Sequence, residues 1–438
     1  SAVVYIGYKP SDFSWEVLDG IFAIYRDVER GERWTSDLLM LQSINAATNS
    51  SSDAEYLFVQ EKIDNTEPRV KIRKPAGSIT MNINGKQIQL ARESRGISQT
   101  ELAKRVPNLS QSNLSKMEVN KLPITTETLV NVAEVLGYPM QFFYKPTQQT
   151  PMGAFYFRKR MSIPKTSLRI IEAQRDIIRM VVDELLRSVE VKDCNLPHMR
   201  VGENLSPSDI ARRVRSFFRL PRGPIDNPVQ MLEDAGIIVY EIDLMDSSIS
   251  NGDKMMGFSI YTDCGQPIIF VNKNMPNDRK RFTLMHELGH LVMHIPFDLT
   301  DDDKTIEIQA DEFSSEFNMP LLDCYEDLKY FKIAKLGSLK SYWKMSKAAI
   351  IRRALSIGVI NQKQYTYCMI ELSRCGERKN ESGYVELDNP SLLKQMIDMH
   401  LNELNYSKEE LCELLGLSRQ DFTELFMPIQ RLTLRPIF

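Results

Sequence analysis

Residues 281–293 read Arg281-Phe282-Thr283-Leu284-Met285-His286-Glu287-Leu288-Gly289-His290-Leu291-Val292-Met293. Apolar side chains stand all round this stretch, the mark of a helix buried on most sides, yet two imidazoles and a carboxylate sit in its middle. Buried polar groups demand partners. Four residues apart on a helix, His286 and His290 lie on one face about 6 Å apart along the axis, so their ring nitrogens can share one tetrahedral ion. The 438 residues contain only five histidines, and His286, His290 and His294 fall within nine positions of one another.

Glu287 is placed one step round the helix, where a carboxylate can hold a water and take its proton. A divalent ion beside it would lower the pKa of a coordinated water to about 7 and polarise a carbonyl, which is the chemistry that amide hydrolysis needs. Two histidines leave the ligand set one short. Glu307 is the best candidate for the third place, seventeen residues beyond His290 on a second expected helix that reads Glu307-Ile308-Gln309-Ala310-Asp311-Glu312-Phe313. Two neutral imidazoles and one carboxylate leave a fourth position open. The same short motif also occurs on exposed helices that bind nothing; the apolar surroundings and Glu307 favour the metal. His294 lies about 12 Å from His286 along a straight helix, so it is expected to support a ligand or the structure rather than bind the ion. Gly289 is expected to admit another backbone or a substrate. His198 and His400 read as ordinary surface or core residues, and Asp301-Asp302-Asp303 as a solvated loop rather than a calcium site.

Upstream, residues 85–144 carry five short amphipathic segments. Ser98 and Thr125 are expected N-caps, with Glu101 completing a capping box at Ser98. The stretch Ser98-Gln99-Thr100-Glu101-Leu102-Ala103 followed by Leu109-Ser110-Gln111-Ser112-Asn113-Leu114-Ser115-Lys116-Met117 has the proportions of a helix-turn-helix, with Leu102, Leu114 and Met117 beneath the crossing. Its second helix would present Gln111, Ser112, Asn113, Ser115 and Lys116 to the major groove, and Gln99 would reach a backbone phosphate. A helical bundle that has kept this shape without DNA is the competing reading. Residues 82–146 carry eight lysines and arginines against five acidic residues, although the whole chain has a net charge of −3. The pair of segments at 408–426 has a similar outline and reads as a packing hairpin.

At this length two to four domains are expected, and 42% hydrophobic with 26% charged residues describes a chain that folds. The six cysteines form no paired motif, and no apolar run is long enough to span a bilayer, so a cytoplasmic protein without a membrane anchor is expected. Three short strands are predicted at 237–242, 257–261 and 267–271, with helices at 168–189, 208–218, 229–235, 279–293 and 305–316.

Together these motifs resemble the ImmA/IrrE family of metallopeptidases, in the branch with an N-terminal Xre-type (Cro/CI-like) helix-turn-helix. The resemblance covers residues 82–380. It rests on the helix-turn-helix stretch, Phe157-Arg158-Lys159-Arg160, Arg281-Phe282-Thr283-Leu284 leading into the histidine motif, Glu307 with Ala310, Asp311 and Phe313 before Met319-Pro320, and Trp343, Ser346, Arg353-Ala354-Leu355 and Gly358 farther on. It implies Zn2+ held by His286, His290 and Glu307, with Glu287 as general base and Asp311 supporting the site where asparagine is frequent in the family. It also implies cleavage of an Xre-type repressor or antitoxin that controls stress, phage or mobile-element genes. The expected architecture is multidomain and mainly α with a small β-sheet. It comprises an N-terminal extension of unknown role (1–80), an all-α helix-turn-helix domain (81–146), a helical connector (147–200), an α+β zincin-like, gluzincin-type peptidase domain (201–330) and a helical C-terminal region (331–438). Expected partners are a double-stranded DNA operator, the protein substrate and a second copy in a homodimer. The alternative is a regulator or antitoxin that uses the zincin fold as a sensor or scaffold without turnover.

Overall fold

The computed structural model describes residues 83–146, 164–243, 256–297, 303–378 and 381–426. The extension 1–80, the first part of the connector (147–163) with Phe157-Arg158-Lys159-Arg160, and Asp301-Asp302 lie outside these residues. Among the described residues there are sixteen α-helices and one three-stranded sheet. None of the helices is long and apolar enough to cross a membrane.

The first helices are α1 (Gly85–Ser94), α2 (Gln99–Arg105), α3 (Gln111–Glu118) and α4 (Thr126–Leu136), followed by a 3-10 turn at Met140–Tyr144. Each starts where a short polar side chain stands ready to satisfy an orphan N–H. Ser98 accepts from the Glu101 N–H at 3.1 Å, Ser110 from Asn113 at 3.2 Å and Thr125 from Thr128 at 3.2 Å. At Ser98 the capping box is only half made, because the Glu101 carboxylate pairs with Arg105 one turn on. Ile88, Leu102, Leu114, Leu129 and Phe142 are fully buried at the centre. Beside them lies a buried ion pair, Arg92 Nε to Glu118 Oε1 at 2.6 Å and Arg92 Nη2 to Glu118 Oε2 at 3.0 Å.

Next come α5 (Lys165–Leu185), α6 (Pro207–Phe217) and α7 (Pro228–Asp234), then β1 (Ile238–Ile242), β2 (Gly257–Tyr261) and β3 (Pro267–Asn272). The expected helix at 168–189 ends at Leu185, although Val189 still tucks into the core. The sheet order is β1-β3-β2, with β1 parallel and β2 antiparallel to β3. Both faces are covered, and the strand period of two divides the residues between them. Ile238, Tyr240, Phe258, Ile260, Ile268 and Phe270 belong to the core that also contains the helix-turn-helix residues. Val239, Ile269 and Val271 face the other core, which they share with α8 (Asn277–Met293) and α9 (Asp303–Asn318).

The start of α8 is fastened by Arg281, whose buried guanidinium donates to the carbonyls of Ile225, Asp226 (3.2 Å) and Glu386 (3.4 Å). Burial pulls this cation down to about 10 against the pull of Asp388 and Asp226, which leaves it charged at neutral pH. Glu316 on α9 is clasped between Arg212 of α6 at 2.9 Å and Arg353. A third core gathers α10 (Leu321–Leu328), α11 (Leu336–Trp343), α12 (Lys347–Ser356) and α13 (Gln362–Arg374) around Trp343 and Ile351.

The last helices, α14 (Leu392–Asn402), α15 (Lys408–Leu415) and α16 (Arg419–Phe426), leave that group and join the core of the helix-turn-helix through Met396, Leu411, Leu415 and Phe422. A bidentate pair at 2.7 Å ties Arg95 to Asp421, and Lys145 donates to the Leu414 carbonyl at 2.7 Å. The segment 408–426 is thus a hairpin that packs, as its sequence indicates.

Candidate metal centre and nucleic-acid interface

Helix α8 lies against β2 because Gly257 has no side chain. A Cβ there would stand 2.7 Å from Thr283 Cγ2 and 2.7 Å from the Phe270 carbonyl oxygen. On the far side of α8, Gly289 lets the Phe313 ring of α9 come within 3.0 Å of where a Cβ would be. The expectation of a backbone or substrate at Gly289 is therefore corrected. The glycine sets the spacing of the two helices that carry the site.

That spacing brings His286, His290 and Glu307 together, with one ligand atom from each inside 4.8 Å of the others. The two Nε2 atoms are 3.1 Å apart, and the Glu307 carboxylate oxygens lie 3.7 Å from His286 and 3.6 Å from His290. Ligands about 2.0–2.1 Å from a tetrahedral zinc are about 3.3 Å from one another, so these three atoms fit one ion with little adjustment. Burial alone disfavours an imidazolium at His286. The Asp311 hydrogen bond and the carboxylates of Glu287, Asp311 and Glu307 outweigh it and hold this ring above the usual histidine range. Surroundings this anionic suit a divalent cation.

The outward nitrogens of both rings are also engaged. His286 Nδ1 lies 3.0 Å from Asp311 Oδ1, and Arg352 of α12 stands 3.5 Å from the other carboxylate oxygen of Asp311. His290 Nδ1 lies 2.8 Å from His294 Nδ1, and His294 Nε2 lies 3.0 Å from Gln309 Oε1. Glu287 accepts a hydrogen bond from the Ser259 hydroxyl at 3.0 Å. Ser259 stands opposite Ile269, on the α8 face of the sheet, which is why its hydroxyl reaches a residue of that helix. Sequence reasoning missed Ser259, Gln309 and Arg352. Each acts through a contact between distant elements that no local pattern announces.

On the helix expected to read DNA, α3, Gln111, Ser112, Asn113 and Lys116 are exposed and Ser115 is half-buried. Gln99, expected at a phosphate, has its amide committed within the protein: it donates to Glu118 at 2.6 Å and accepts from Gln111 at 2.8 Å. The two glutamines that open α2 and α3 therefore form one unit with the buried Arg92–Glu118 pair.

A buried helix that offers two imidazoles to a carboxylate on the next helix, behind a small mixed sheet, defines a metallopeptidase-like domain. Residues 233–355 match the family model of the IrrE N-terminal-like domain, and residues 88–143 match the helix-turn-helix model. The resemblance drawn from the motifs holds for both domains and for their order, and the pair supports a DNA-binding regulator that carries an IrrE-like domain. No curated protein and no solved structure matches the chain.

Proposed function

We propose that the chain is a cytoplasmic, zinc-dependent endopeptidase coupled to its own DNA reader, and that it cuts a repressor or antitoxin of the helix-turn-helix type. The reading is carried by the convergence of His286, His290 and Glu307 within 4.8 Å beside a carboxylate, Glu287, that none of them needs as a ligand. Zinc held by those three residues would polarise the scissile carbonyl and activate water. Ser259 bonds the Glu287 carboxylate and orients it, so that it would accept the proton of the attacking water and later pass it to the leaving amine. Asp311 and His294 hold the two imidazoles from behind.

The reader occupies 81–146, with Gln111, Ser112, Asn113, Ser115 and Lys116 toward an operator and Gln99 bracing Gln111 rather than working alone. The helical connector 147–200 leads to the peptidase domain at 201–330, with a helical region at 331–438 and the extension 1–80 ahead of the reader. Cleavage of such a repressor would release the genes it controls, which the family resemblance puts among stress, phage or mobile-element genes.

The test compares new protein N-termini in cells that carry the wild-type chain with those in cells that carry Glu287→Gln. The expected result is a small set of cleavages, in DNA-binding proteins, present only with the wild type, while both proteins hold zinc equally. Identical sets of termini together with unchanged gene control in the variant would contradict the enzyme reading and favour a sensor or scaffold without turnover.

A further inference from the structure

We propose that Gln309 fixes, through His294, the ring form in which His290 presents Nε2 to the metal. The inference rests on the zinc-site reading and extends it to two residues behind the ligands.

A neutral imidazole carries one N–H, and the nitrogen that carries it is set by what the other nitrogen bonds. At His290, Nε2 faces His286 Nε2 and Glu307, whereas Nδ1 lies 2.8 Å from His294 Nδ1. Two ring nitrogens at that distance need one donor and one acceptor. The choice is made at the far end of His294, where Nε2 meets Gln309 Oε1 at 3.0 Å, an oxygen that can only accept. His294 therefore carries its proton on Nε2 and offers a lone pair at Nδ1. His290 must then donate from Nδ1, which leaves the Nε2 lone pair for the ion.

Both rings are buried, at 1% and 2% exposure, so solvent does not stand in for either partner. The arrangement also explains why three histidines in nine residues do not make a three-histidine site. Helix α8 ends at Met293, and His294, as its C-cap, turns back onto His290 instead of toward the ion. At His286 the Asp311 carboxylate makes the same choice directly. One helix, α9, thus supplies a ligand and the groups that set both imidazoles.

The experiment measures zinc affinity of the full chain by competition with a chromophoric chelator, for the wild type, Gln309→Met and Gln309→Glu. Methionine keeps the length without the acceptor oxygen; glutamate keeps the oxygen. Gln309→Met is expected to weaken zinc by about 10- to 100-fold, the usual effect of removing a group behind a ligand. Gln309→Glu should bind as tightly as wild type or more tightly. Long-range proton–nitrogen correlation of the histidine rings in the zinc-loaded protein should show His294 with its hydrogen on Nε2. Wild-type affinity in Gln309→Met, equal losses in both variants, or a His294 hydrogen on Nδ1 would overturn the proposal. Failure of the wild-type chain itself to bind one zinc would instead overturn the reading of the site, and this inference with it.

Discussion

Arg92 and Glu118 are 5% and 2% exposed, and replacing Arg92 by methionine would strand a carboxylate in the core of the helix-turn-helix. The guanidinium makes two bonds to that carboxylate, at 2.6 and 3.0 Å, and a third to the Ile97 carbonyl at 2.9 Å, so all three are lost together. Among the described residues, Glu118 would then keep only Gln99. Breaking a buried pair from one side costs about 3–5 kcal/mol, whereas replacing both partners with apolar groups of similar volume is close to neutral. Arg92→Met should therefore destabilise α1–α3 by about 3–5 kcal/mol, and Arg92→Met with Glu118→Leu should recover most of the loss. Because the chain has several cores, the proper assay is hydrogen exchange at the amides of α1 and α3 rather than a global melt. At about 1.36 kcal/mol per decade, the single variant should lower protection there by about two to four orders of magnitude. A single variant with protection within threefold of wild type, or a double variant worse than the single, would refute the reasoning.

Three further outcomes follow from the same contacts. Gly257→Ala places a Cβ 2.7 Å from Thr283 Cγ2 and from a backbone oxygen, so α8 must move off β2; a melting temperature and zinc affinity equal to wild type would show that the close approach is not required. Lys116→Ala should weaken binding to duplex DNA and reduce the salt dependence of that binding by about 0.9 in log–log slope, and an unchanged slope would mean that Lys116 meets no phosphate. Gly416 has φ of +69°, and a Cβ on it would meet Lys145 Cε at 2.8 Å; Gly416→Ala should loosen α15 and α16, seen as faster protease nicking near residue 416, and unaltered nicking would count against the hairpin's role in the core.

What could be read in advance was what short-range physics controls. The caps at Ser98 and Thr125, the paired histidines four apart on a buried helix, and the alternation that marks the strands all act within a few residues, so their signals are local. Glu307 was reachable because carboxylate chemistry and the need for a third ligand narrowed the choice. The half-made capping box at Ser98 failed because Glu101 had a second partner, Arg105, one turn away. Ser259, Gln309 and Arg352 were out of reach since each depends on how one element packs against another. The same holds for the bond between Arg95 and Asp421, 326 positions apart, which brings the end of the described chain onto the helix-turn-helix.

X-ray absorption at the zinc edge of the loaded full chain tests most directly whether two imidazoles and one carboxylate of this protein hold a single zinc. The expected spectrum contains two imidazole nitrogens at about 2.0–2.1 Å with the remaining ligands as oxygen, and loses zinc or the two-imidazole signature in His290→Ala. A shell containing sulfur, a third imidazole, or no imidazole at all would contradict the account.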